Sequence, residues 1–288
     1  MGNHSIVCEL RSLTKYMEPT LLFMMETKIE GKRVEKLAGA LGFIGAFAVS
    51  IEGLSGGIGL FWSAEVSVDI KSFNMHHIDA VISSKDGSGS PGRFTGFYFE
   101  SKREKRHLSW TLLRRLYLLR KMSWLCMGDL NETMYGTEHF SEHAREEWQM
   151  RAFREATEEC ELLDLSFSRA PYTWDNRQAG LANVKARIDR AFGDITLLHL
   201  FPGIKIRHVD MVESDHCRLV AELSTHQAQN RRRSARPFRY ENVWQSHGDY
   251  SKIVKDLWQG TQRGQGLSGL MSSLNIMQTG LDQWGSVR

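Results

Sequence analysis

Five short polar motifs stand at the ends of apolar runs in this 288-residue chain. Each one places a carboxylate, an amide, a phenol or an imidazole directly after a stretch that is typical of a buried strand. Together these groups could bind a divalent metal, orient a water molecule and attack a phosphodiester. The motifs are Met24-Met25-Glu26-Thr27-Lys28, Thr95-Gly96-Phe97-Tyr98, Gly128-Asp129-Leu130-Asn131-Glu132, Arg187-Ile188-Asp189-Arg190 and Ser214-Asp215-His216.

The oxygen ligands that a hard cation needs are present in three of these motifs. Mg²⁺ takes carboxylate and amide oxygens rather than thiolates. Glu26, Asp129, Asn131 and Asp215 supply such oxygens. Asp129 and Asn131 are two positions apart, so in extended geometry their side chains would share one face. One of them could then orient a water molecule while the other contacts the metal or a phosphate oxygen.

Proton transfer and phosphate binding need further groups. The pKa of histidine lies near neutrality, so His216 could act as a base or as a cation that faces the phosphate. Such a histidine needs a carboxylate to fix its tautomer, and Asp189 is a candidate. The phenol of Tyr98 could donate a hydrogen bond to a phosphate oxygen or to the leaving group.

Each motif also has an ordinary structural explanation. Solvated turns, Asx turns, ion pairs, helix N-caps and core tyrosines all use the same residue types. Glu26 with Lys28 could form a solvated turn, and Asp129 to Asn131 an Asx turn. Asp189 could pair with its arginine neighbours, Ser214-Asp215 could be a helix N-cap, and Tyr98 could be a core tyrosine. The occurrence of all five motifs in one chain, each after an apolar run, favours a functional site.

The elements that must position these groups can be predicted from periodicity and turn residues. The pattern predicts helices over residues 6–16, 33–41, 107–119 and 142–163. It predicts strands over residues 21–25, 46–51, 57–62, 66–73, 78–83, 93–98, 124–127, 185–192, 204–209 and 218–223. Gly53, Gly56 and Gly57 mark a hairpin turn. Because hairpins and helices alternate without a fixed order, two packed sheets flanked by helices are favoured over a purely parallel sheet.

Composition narrows the class of protein. A hydrophobic fraction of 41% and a charged fraction of 25% are ordinary for a globular chain, and a net charge of +3 excludes a polycation. Nucleic-acid affinity would therefore come from local clusters such as residues 102–106 or 231–233, and would weaken with salt. The four cysteines form no CxxC pair, which argues against a zinc site and favours an intracellular compartment. No apolar run reaches about 18 residues, so no membrane span is predicted.

A change in composition near residue 225 predicts a domain boundary. We expect one domain over residues 1–225, followed by a basic linker and helical tail over residues 226–288. The tail has helical patches at residues 253–258 and 270–281 but few apolar residues for a core of its own. It is typical of a solvated linker or a docking helix.

The combined motifs resemble the endonuclease/exonuclease/phosphatase family, which includes apurinic-type endonucleases and deoxyribonuclease I. Within that family the chain is most similar to the endonuclease domain of plant LINE-type (non-LTR) retrotransposon polyproteins. The resemblance covers about residues 1–244. Besides the five motifs, it rests on Gly56-Gly-Ile-Gly-Leu-Phe-Trp62, Arg106-His-Leu-Ser-Trp110, Tyr172-Thr-Trp174 and Arg236-Pro-Phe-Arg-Tyr-Glu-Asn-Val-Trp244.

The resemblance implies an α/β fold, a four-layer sandwich of two mixed β-sheets flanked by helices, of the DNase I-like type. It implies that Glu26 binds the metal, that Tyr98 contacts the phosphate, and that Asp129 and Asn131 orient water and phosphate. His216 would act on the scissile phosphate. Asp189 would be the second buried acid, and Asp215 would help to bind the metal or to position the histidine. Which of Asp189 and Asp215 holds His216 stays open.

The implied activity is Mg²⁺-dependent nicking of DNA, with Mn²⁺ as a substitute ion. In the retrotransposon branch the nick frees a 3′-hydroxyl that primes reverse transcription. The implied partner is the DNA phosphate backbone, with neither a membrane nor an obligate protein partner, and the compartment would be nuclear. Two alternatives remain: an inactive remnant that at most binds nucleic acid, and a phosphatase acting on a small phosphorylated substrate.

Three departures from the family pattern bear on this expectation. The family opens with a strand that ends in Trp-Asn, whereas this chain starts at Met1-Gly2-Asn3-His4 and carries no reverse transcriptase, so we expect a truncated product. Loss of a core strand would cost several kcal/mol of a total of about 5–15 kcal/mol. Phe99 stands where relatives carry glycine, and its bulk is expected to shift Tyr98 or to crowd the groove.

Overall fold

The computed structural model describes residues 4–50, 56–119, 121–209, 214–225 and 248–259, together with six single residues between 274 and 284. It divides the chain into two compact units, residues 1–227 and residues 228–288. The first unit carries every motif singled out above as a candidate site. In the second unit, α7 spans Tyr250–Gln259.

The first unit contains six α-helices and fifteen strands among the described residues. The helices are α1 His4–Met17, α2 Gly31–Glu35, α3 Ala38–Leu41, α4 Arg106–Leu119, α5 Glu147–Glu159 and α6 Ile195–Leu200. The strands are β1 Leu21–Met24, β2 Gly45–Val49, β3 Ile58–Trp62, β4 Val66–Asn74, β5 His77–Ser84, β6 Gly92–Tyr98, β7 Trp124–Asp129, β8 His139–Phe140, β9 Leu163–Asp164, β10 Phe167–Ser168, β11 Trp174–Asp175, β12 Lys185–Ala186, β13 Asp189–Gly193, β14 Lys205–Val209 and β15 Arg218–Glu222.

The largest sheet has six strands in the order β4-β5-β6-β7-β13-β9. It is mixed, because β6 and β7 run parallel while the other pairs are antiparallel. Three smaller sheets have the orders β1-β3-β2, β10-β14-β15 and β11-β12-β8. The alternating apolar positions of these strands bury one or both faces, which is why the sheets stack.

Three apolar clusters fill the spaces between four layers. One lies between α4, α5 and the six-stranded sheet, and contains Phe97, Trp110 and Phe153. The second lies between the six-stranded sheet and the smaller sheets, and contains Leu60, Ile78 and further side chains of β14 and β15. The third joins β1, β2 and β3 to α1, α2 and α3. This order of helix, sheet, sheet and helix confirms the predicted four-layer sandwich.

Several predicted elements differ in extent, for identifiable reasons. The single helix expected over residues 33–41 is two short helices, because the amide of Leu37 bonds to Val34 and closes a tighter turn between them. The helix expected over residues 142–163 is limited to Glu147–Glu159. The strand expected over residues 185–192 changes sheets, since β12 pairs with β8 and β11 whereas β13 pairs with β7.

Some predicted features lie outside the described residues. These are the end of the strand at Ile51, the turn residue Gly53, the basic run 231–233 and most of the helical patch at residues 270–281. Gly56 and Gly57 are described and have φ values of 88° and 80°, which glycine adopts without strain. In the described part of the chain, none of the helices combines the length and the apolar character needed to cross a membrane.

A buried histidine makes the stability of this fold sensitive to pH. His77 is 4% exposed at the start of β5, where Nδ1 lies 2.9 Å from Asn74 Oδ1 and Nε2 lies 3.0 Å from Ser72 Oγ. Burial lowers the pKa of His77 to about 4, although the nearby Asp79 carboxylate opposes the shift. Between pH 6.5 and pH 4 the unfolded chain therefore binds a proton that the folded chain does not.

We expect this group to remove about 3 kcal/mol of unfolding free energy between pH 7 and pH 4. Urea unfolding of the wild type and of His77→Gln at a series of pH values would measure the effect. The other groups that titrate in acid are common to both proteins. The unfolding free energy of the wild type should therefore fall more steeply with decreasing pH, below pH 6.5, than that of His77→Gln. Parallel curves would contradict the prediction.

Candidate active site

Three predicted site residues lie side by side at one end of the six-stranded sheet. Tyr98 is the last residue of β6, Asp129 is the last residue of β7, and Asp189 is the first residue of β13. Tyr98 is in register with Asp129, and Asp129 is in register with Asp189. Side chains in register across neighbouring strands share a face of the sheet. The phenol and the two carboxyl groups therefore meet at a single edge.

Gly128 allows this close approach. It has a φ of 144°, and a Cβ at this position would lie 1.9 Å from the carbonyl oxygen of Phe97. A side chain could not fit between β6 and β7 at this point. The glycine thus brings the end of β7 against the end of β6, directly before Asp129.

Glu26 joins the edge from the neighbouring sheet. It follows β1, and its Oε1 accepts a 2.6 Å hydrogen bond from the Tyr98 hydroxyl. Lys28 Nζ lies 3.1 Å from the other carboxylate oxygen, Oε2. Glu26 and Lys28 have φ values of 48° and 53°, so both lie in the left-handed region that non-glycine residues rarely adopt. Strain of this kind is typical of functional turns.

These contacts shift the ionisation of both groups. Burial opposes the charge on Glu26, but the hydrogen bond from Tyr98 and the ammonium of Lys28 lower its pKa. Burial raises the pKa of Tyr98, and its hydrogen bond to Glu26 raises it further. At neutral pH Glu26 is thus an anion and Tyr98 is a neutral donor.

His216 is paired with the most deeply buried acid of the site. Its Nδ1 lies 2.9 Å from Oδ2 of Asp189, which is 1% exposed. Burial opposes the protonation of His216, but the charge of Asp189 and its hydrogen bond raise the pKa to about 9. The pairing also leaves Nε2 as the ring nitrogen that can meet a substrate.

Asp129 completes a cluster that could hold a cation. Asp129, Asp189 and His216 each offer a ligand atom, and these atoms lie within 4.8 Å of one another. Burial raises the pKa of Asp129 to about 8, and the neighbouring charge of Asp189 adds to this shift. Oδ1 of Asp189 is buried and has no hydrogen-bond partner among the described residues. A bound cation would relieve both features, so the carboxylates of Asp129 and Asp189 fit a hard divalent ion.

The expected metal ligands Glu26 and Asp215 are held by different donors. Asp215 is exposed, and its Oδ2 accepts a 3.0 Å hydrogen bond from Trp174 Nε1. Its charge contributes to the raised pKa of His216, as do those of Asp189 and Asp129. The charge of His216 in turn lowers the pKa of Glu26. The charges of the four acids predicted from the sequence therefore all interact with one imidazole.

The geometry expected for Asp129 and Asn131 is wrong in one respect. The strand ends at Asp129, and Asn131 has a φ of 52°, so the two side chains do not follow an extended alternation. Instead, Oδ1 of Asp129 accepts a 2.9 Å bond from the amide of Asn131, which is the Asx turn considered as the ordinary explanation. The Asn131 side chain donates a 2.8 Å bond to the carbonyl of Phe99.

The expectation that Phe99 shifts Tyr98 or crowds the groove is also wrong. Phe99 is 1% exposed and belongs to the cluster beneath α4 and α5, with ring contacts to Phe97 and Trp110. Tyr98 packs against the cluster between the two sheets. The alternation of side chains along the strand separates the two residues, so the bulk of Phe99 fills the core.

Sequence reasoning did not assign a role to a buried acid next to the site. The carboxylate of Glu132 is 0% exposed and bonds to Arg106 at 2.6 Å and to Arg145 at 2.8 Å. Arg145 also donates to the carbonyl of Asn131 at 3.3 Å. The sequence indicated a role for Glu132 only through its position directly after Asn131, within a motif that was already recognised.

Solved structures of an endonuclease domain, a 3′ phosphatase and an AP endonuclease have a similar fold. The endonuclease domain of TRAS1, a telomere-specific non-LTR retrotransposon, matches with a TM-score of 0.57 and 16% identity over 77% of this chain and 93% of that chain. The 3′ phosphatase NExo from Neisseria, bound to a product DNA hairpin, matches with a TM-score of 0.58 and 14% identity, over 77% of this chain and 95% of that chain. An AP endonuclease from Archaeoglobus fulgidus matches with a TM-score of 0.55 and 20% identity, over 76% of this chain and 94% of that chain.

These likenesses are structural. No protein-family model matches the sequence, and no curated protein matches it. At 14–20% identity the solved neighbours show the fold, and the case for an activity depends on the geometry of the site described above.

Proposed function

We propose that this chain is a metal-dependent phosphodiester hydrolase that nicks DNA, as an endonuclease of retrotransposon type. The observation that carries the proposal is the meeting of Asp129, Asp189 and His216 at the sheet edge where Tyr98 is hydrogen-bonded to Glu26. Two acids, an imidazole and a phenol at a single edge supply the groups that phosphodiester hydrolysis needs.

The side chains take separate roles in this proposal. Asp129 accepts a hydrogen bond from the attacking water and, with Asn131, orients it towards phosphorus. Tyr98 donates its hydroxyl proton in a hydrogen bond to a phosphate oxygen. His216 faces the scissile phosphate through Nε2, while Asp189 fixes its tautomer through Nδ1. The pairing with Asp189 favours the imidazolium, which stabilises the negative charge that grows in the transition state.

Glu26 and Asp215 are the proposed metal ligands, and the ion they hold would lie beside the Asp129 and Asp189 carboxylates, which fit a hard cation. Although burial opposes the charge on Glu26, the hydrogen bond from Tyr98 and the ammonium of Lys28 lower its pKa, so this carboxylate is ionised, as a metal ligand must be. When bound, Mg²⁺ or Mn²⁺ supplies positive charge that neutralises the phosphate and the leaving oxygen. The protein residues then aim the water and hold the histidine.

The DNA substrate and the retrotransposon origin are the finer parts of the proposal. They are supported by the motifs shared with plant LINE endonuclease domains and by the likeness to the TRAS1 endonuclease domain. The Neisseria neighbour was solved with a DNA hairpin. A nick that frees a 3′-hydroxyl, and a nuclear site of action, follow from this reading.

Nicking of supercoiled plasmid by the purified chain tests the proposal. We expect conversion to the open-circular form with Mg²⁺ and none after chelation with EDTA, because the acids of the site need a cation to act on a polyanion. Mn²⁺ should restore the activity. Nicking that persists in EDTA, or no nicking with either ion, would contradict the proposal.

A substrate panel separates the alternatives. A 3′-phosphorylated DNA hairpin and small phosphorylated compounds, tested alongside the plasmid, would identify a phosphatase by the release of inorganic phosphate. Salt-dependent DNA binding without hydrolysis of any substrate would instead identify a binding protein without catalysis.

A further inference from the structure

The Tyr172-Thr-Trp174 segment has no role in the proposed chemistry. It forms hydrogen bonds both to the stretch of chain that carries Asp189 and to the stretch that carries His216. Its central residue, Thr173, is 0% exposed. It stands directly before β11, whereas Asp189 begins β13 and His216 precedes β15. One buried polar side chain therefore lies where two distant stretches of sequence meet.

The hydroxyl of Thr173 holds the Asp189 side of this junction. Its Oγ1 accepts hydrogen bonds from the backbone amides of Ile188 at 3.0 Å and Asp189 at 2.9 Å. The hydroxyl also donates a hydrogen bond to the carbonyl oxygen of Ala186 at 3.5 Å. The chain leaves β12 and enters β13 at this point. The threonine hydroxyl thus takes the place of a backbone acceptor where the strand changes sheets.

The backbone of the same segment holds the His216 side. The carbonyl of Thr173 accepts a 2.7 Å hydrogen bond from the amide of Cys217. Trp174 forms an antiparallel β-bridge with His216, and the amide of Asp175 bonds to the carbonyl of Asp215 at 3.0 Å. The backbone of His216 therefore lies between two hydrogen bonds, one made by Thr173 to Cys217 and one made by Asp175 to Asp215.

We propose that Thr173 is a positioning residue whose hydroxyl sets the distance between Asp189 and His216. The side chain fixes the backbone that carries the acid, and the main chain of the same residue fixes the backbone that carries the imidazole. The 2.9 Å bond between Asp189 and His216 depends on both attachments. This inference rests on the proposed function, and it adds a residue that touches neither substrate nor metal.

The substitution Thr173→Val tests the hydroxyl, because valine keeps the branched shape and removes the acceptor. Thr173→Ser is the matched control, since serine keeps the acceptor and removes the methyl group. For nicking by the full chain with Mg²⁺, we expect kcat to fall about 10–100-fold in the valine variant with KM nearly unchanged. The serine variant should retain kcat within about threefold of the wild type. A loss in serine as large as in valine would overturn the inference, because packing would then be the cause.

A spectroscopic measurement separates this inference from the proposed function. We expect the Nδ1 proton of His216, observed by NMR at one fixed pH, to be slowly exchanging in the wild type and in Thr173→Ser, and to be lost in Thr173→Val. Loss of the signal in a chain that does not nick DNA would support the positioning role and reject the nuclease assignment. An unchanged signal in Thr173→Val would overturn the positioning role, whatever the nicking activity.

Thermal unfolding of each variant shows whether it is folded before its kinetics are compared. If Thr173→Val does not fold, the serine variant decides the outcome. Retention of both the Nδ1 signal and kcat in serine then supports the hydroxyl as the necessary group. Loss of either in a folded serine variant overturns the inference.

Discussion

Replacement of His216 with alanine is expected to lower the rate of Mg²⁺-dependent plasmid nicking by about 10²–10⁴-fold, the effect of removing a group that acts on the reacting phosphate. The imidazole is held at 2.9 Å by a buried carboxylate and is influenced by the charges of Asp129 and Asp215. Removal of the ring takes away the positive charge at the centre of these acids. Single-turnover nicking by the wild type and by His216→Ala, measured at equal Mg²⁺, would give the ratio of the two rates.

His199→Ala is the matched control for this prediction. His199 is exposed on α6 and lies outside the proposed site. Its removal should leave the nicking rate unchanged. Equal rates for the wild type and His216→Ala would reject the role assigned to His216 and, with it, the nuclease assignment.

The pairing of His216 with Asp189 makes a further distinction possible. If the two side chains act as a unit, the double variant His216→Ala/Asp189→Asn should lose no more activity than His216→Ala alone. Losses that multiply would show that Asp189 contributes independently of the histidine. This comparison tests the geometry of the pair, whereas the single variant tests only the need for the ring.

The strands that carry Tyr98 and Asp129 could be predicted because aromatic and other strand-forming residues precede these two polar groups. β6 and β7 were expected within two residues of their observed bounds, and each ends at a residue that was singled out, whereas β13 was expected as part of a longer strand over residues 185–192. The end of a buried strand is where the chain can first present a polar group, so position alone indicated Tyr98 and Asp129. The four-layer arrangement followed from the resemblance and from the mixed order of the elements.

Register and long-range partners could not be obtained in the same way. The alignment of Asp129 with Asp189 depends on pairing between β7 and β13, and periodicity does not contain that information. The bond between Trp174 and Asp215 joins residues 41 positions apart. The left-handed backbone of Asn131 was missed because the residue two positions after an aspartate was taken to be extended. Contacts of this kind are decided by the packing of the whole domain.

A second large effect is expected in the core rather than at the site. Arg93→Met should lower the free energy of unfolding by about 3–5 kcal/mol, since it removes one partner of a buried ion pair. Arg93 Nε lies 2.7 Å from Asp79 Oδ1, and both side chains are at most 1% exposed. The substitution would leave the Asp79 carboxylate buried with the hydroxyl of Thr95, at 2.6 Å, as its remaining side-chain partner. Urea unfolding followed by circular dichroism would measure the loss.

Arg114→Met provides the matched surface control. Arg114 pairs with Glu159 between α4 and α5, but the two side chains are 39% and 56% exposed. An exposed pair contributes little because water screens it, so this substitution should change stability far less than Arg93→Met. Similar losses in the two variants would show that burial of the Asp79–Arg93 pair is not the cause.

The double variant Asp79→Leu/Arg93→Met separates the cost of an unpaired charge from the loss of a favourable pair. If the instability of Arg93→Met comes from the stranded carboxylate, its removal should recover part of the lost stability. Arg93 also packs its guanidinium 4.2 Å from the ring centre of Trp124 and donates to the carbonyl of Leu116, so recovery should be incomplete. A double variant less stable than Arg93→Met would instead mean that Asp79 supports β5 and β6 through contacts independent of the arginine.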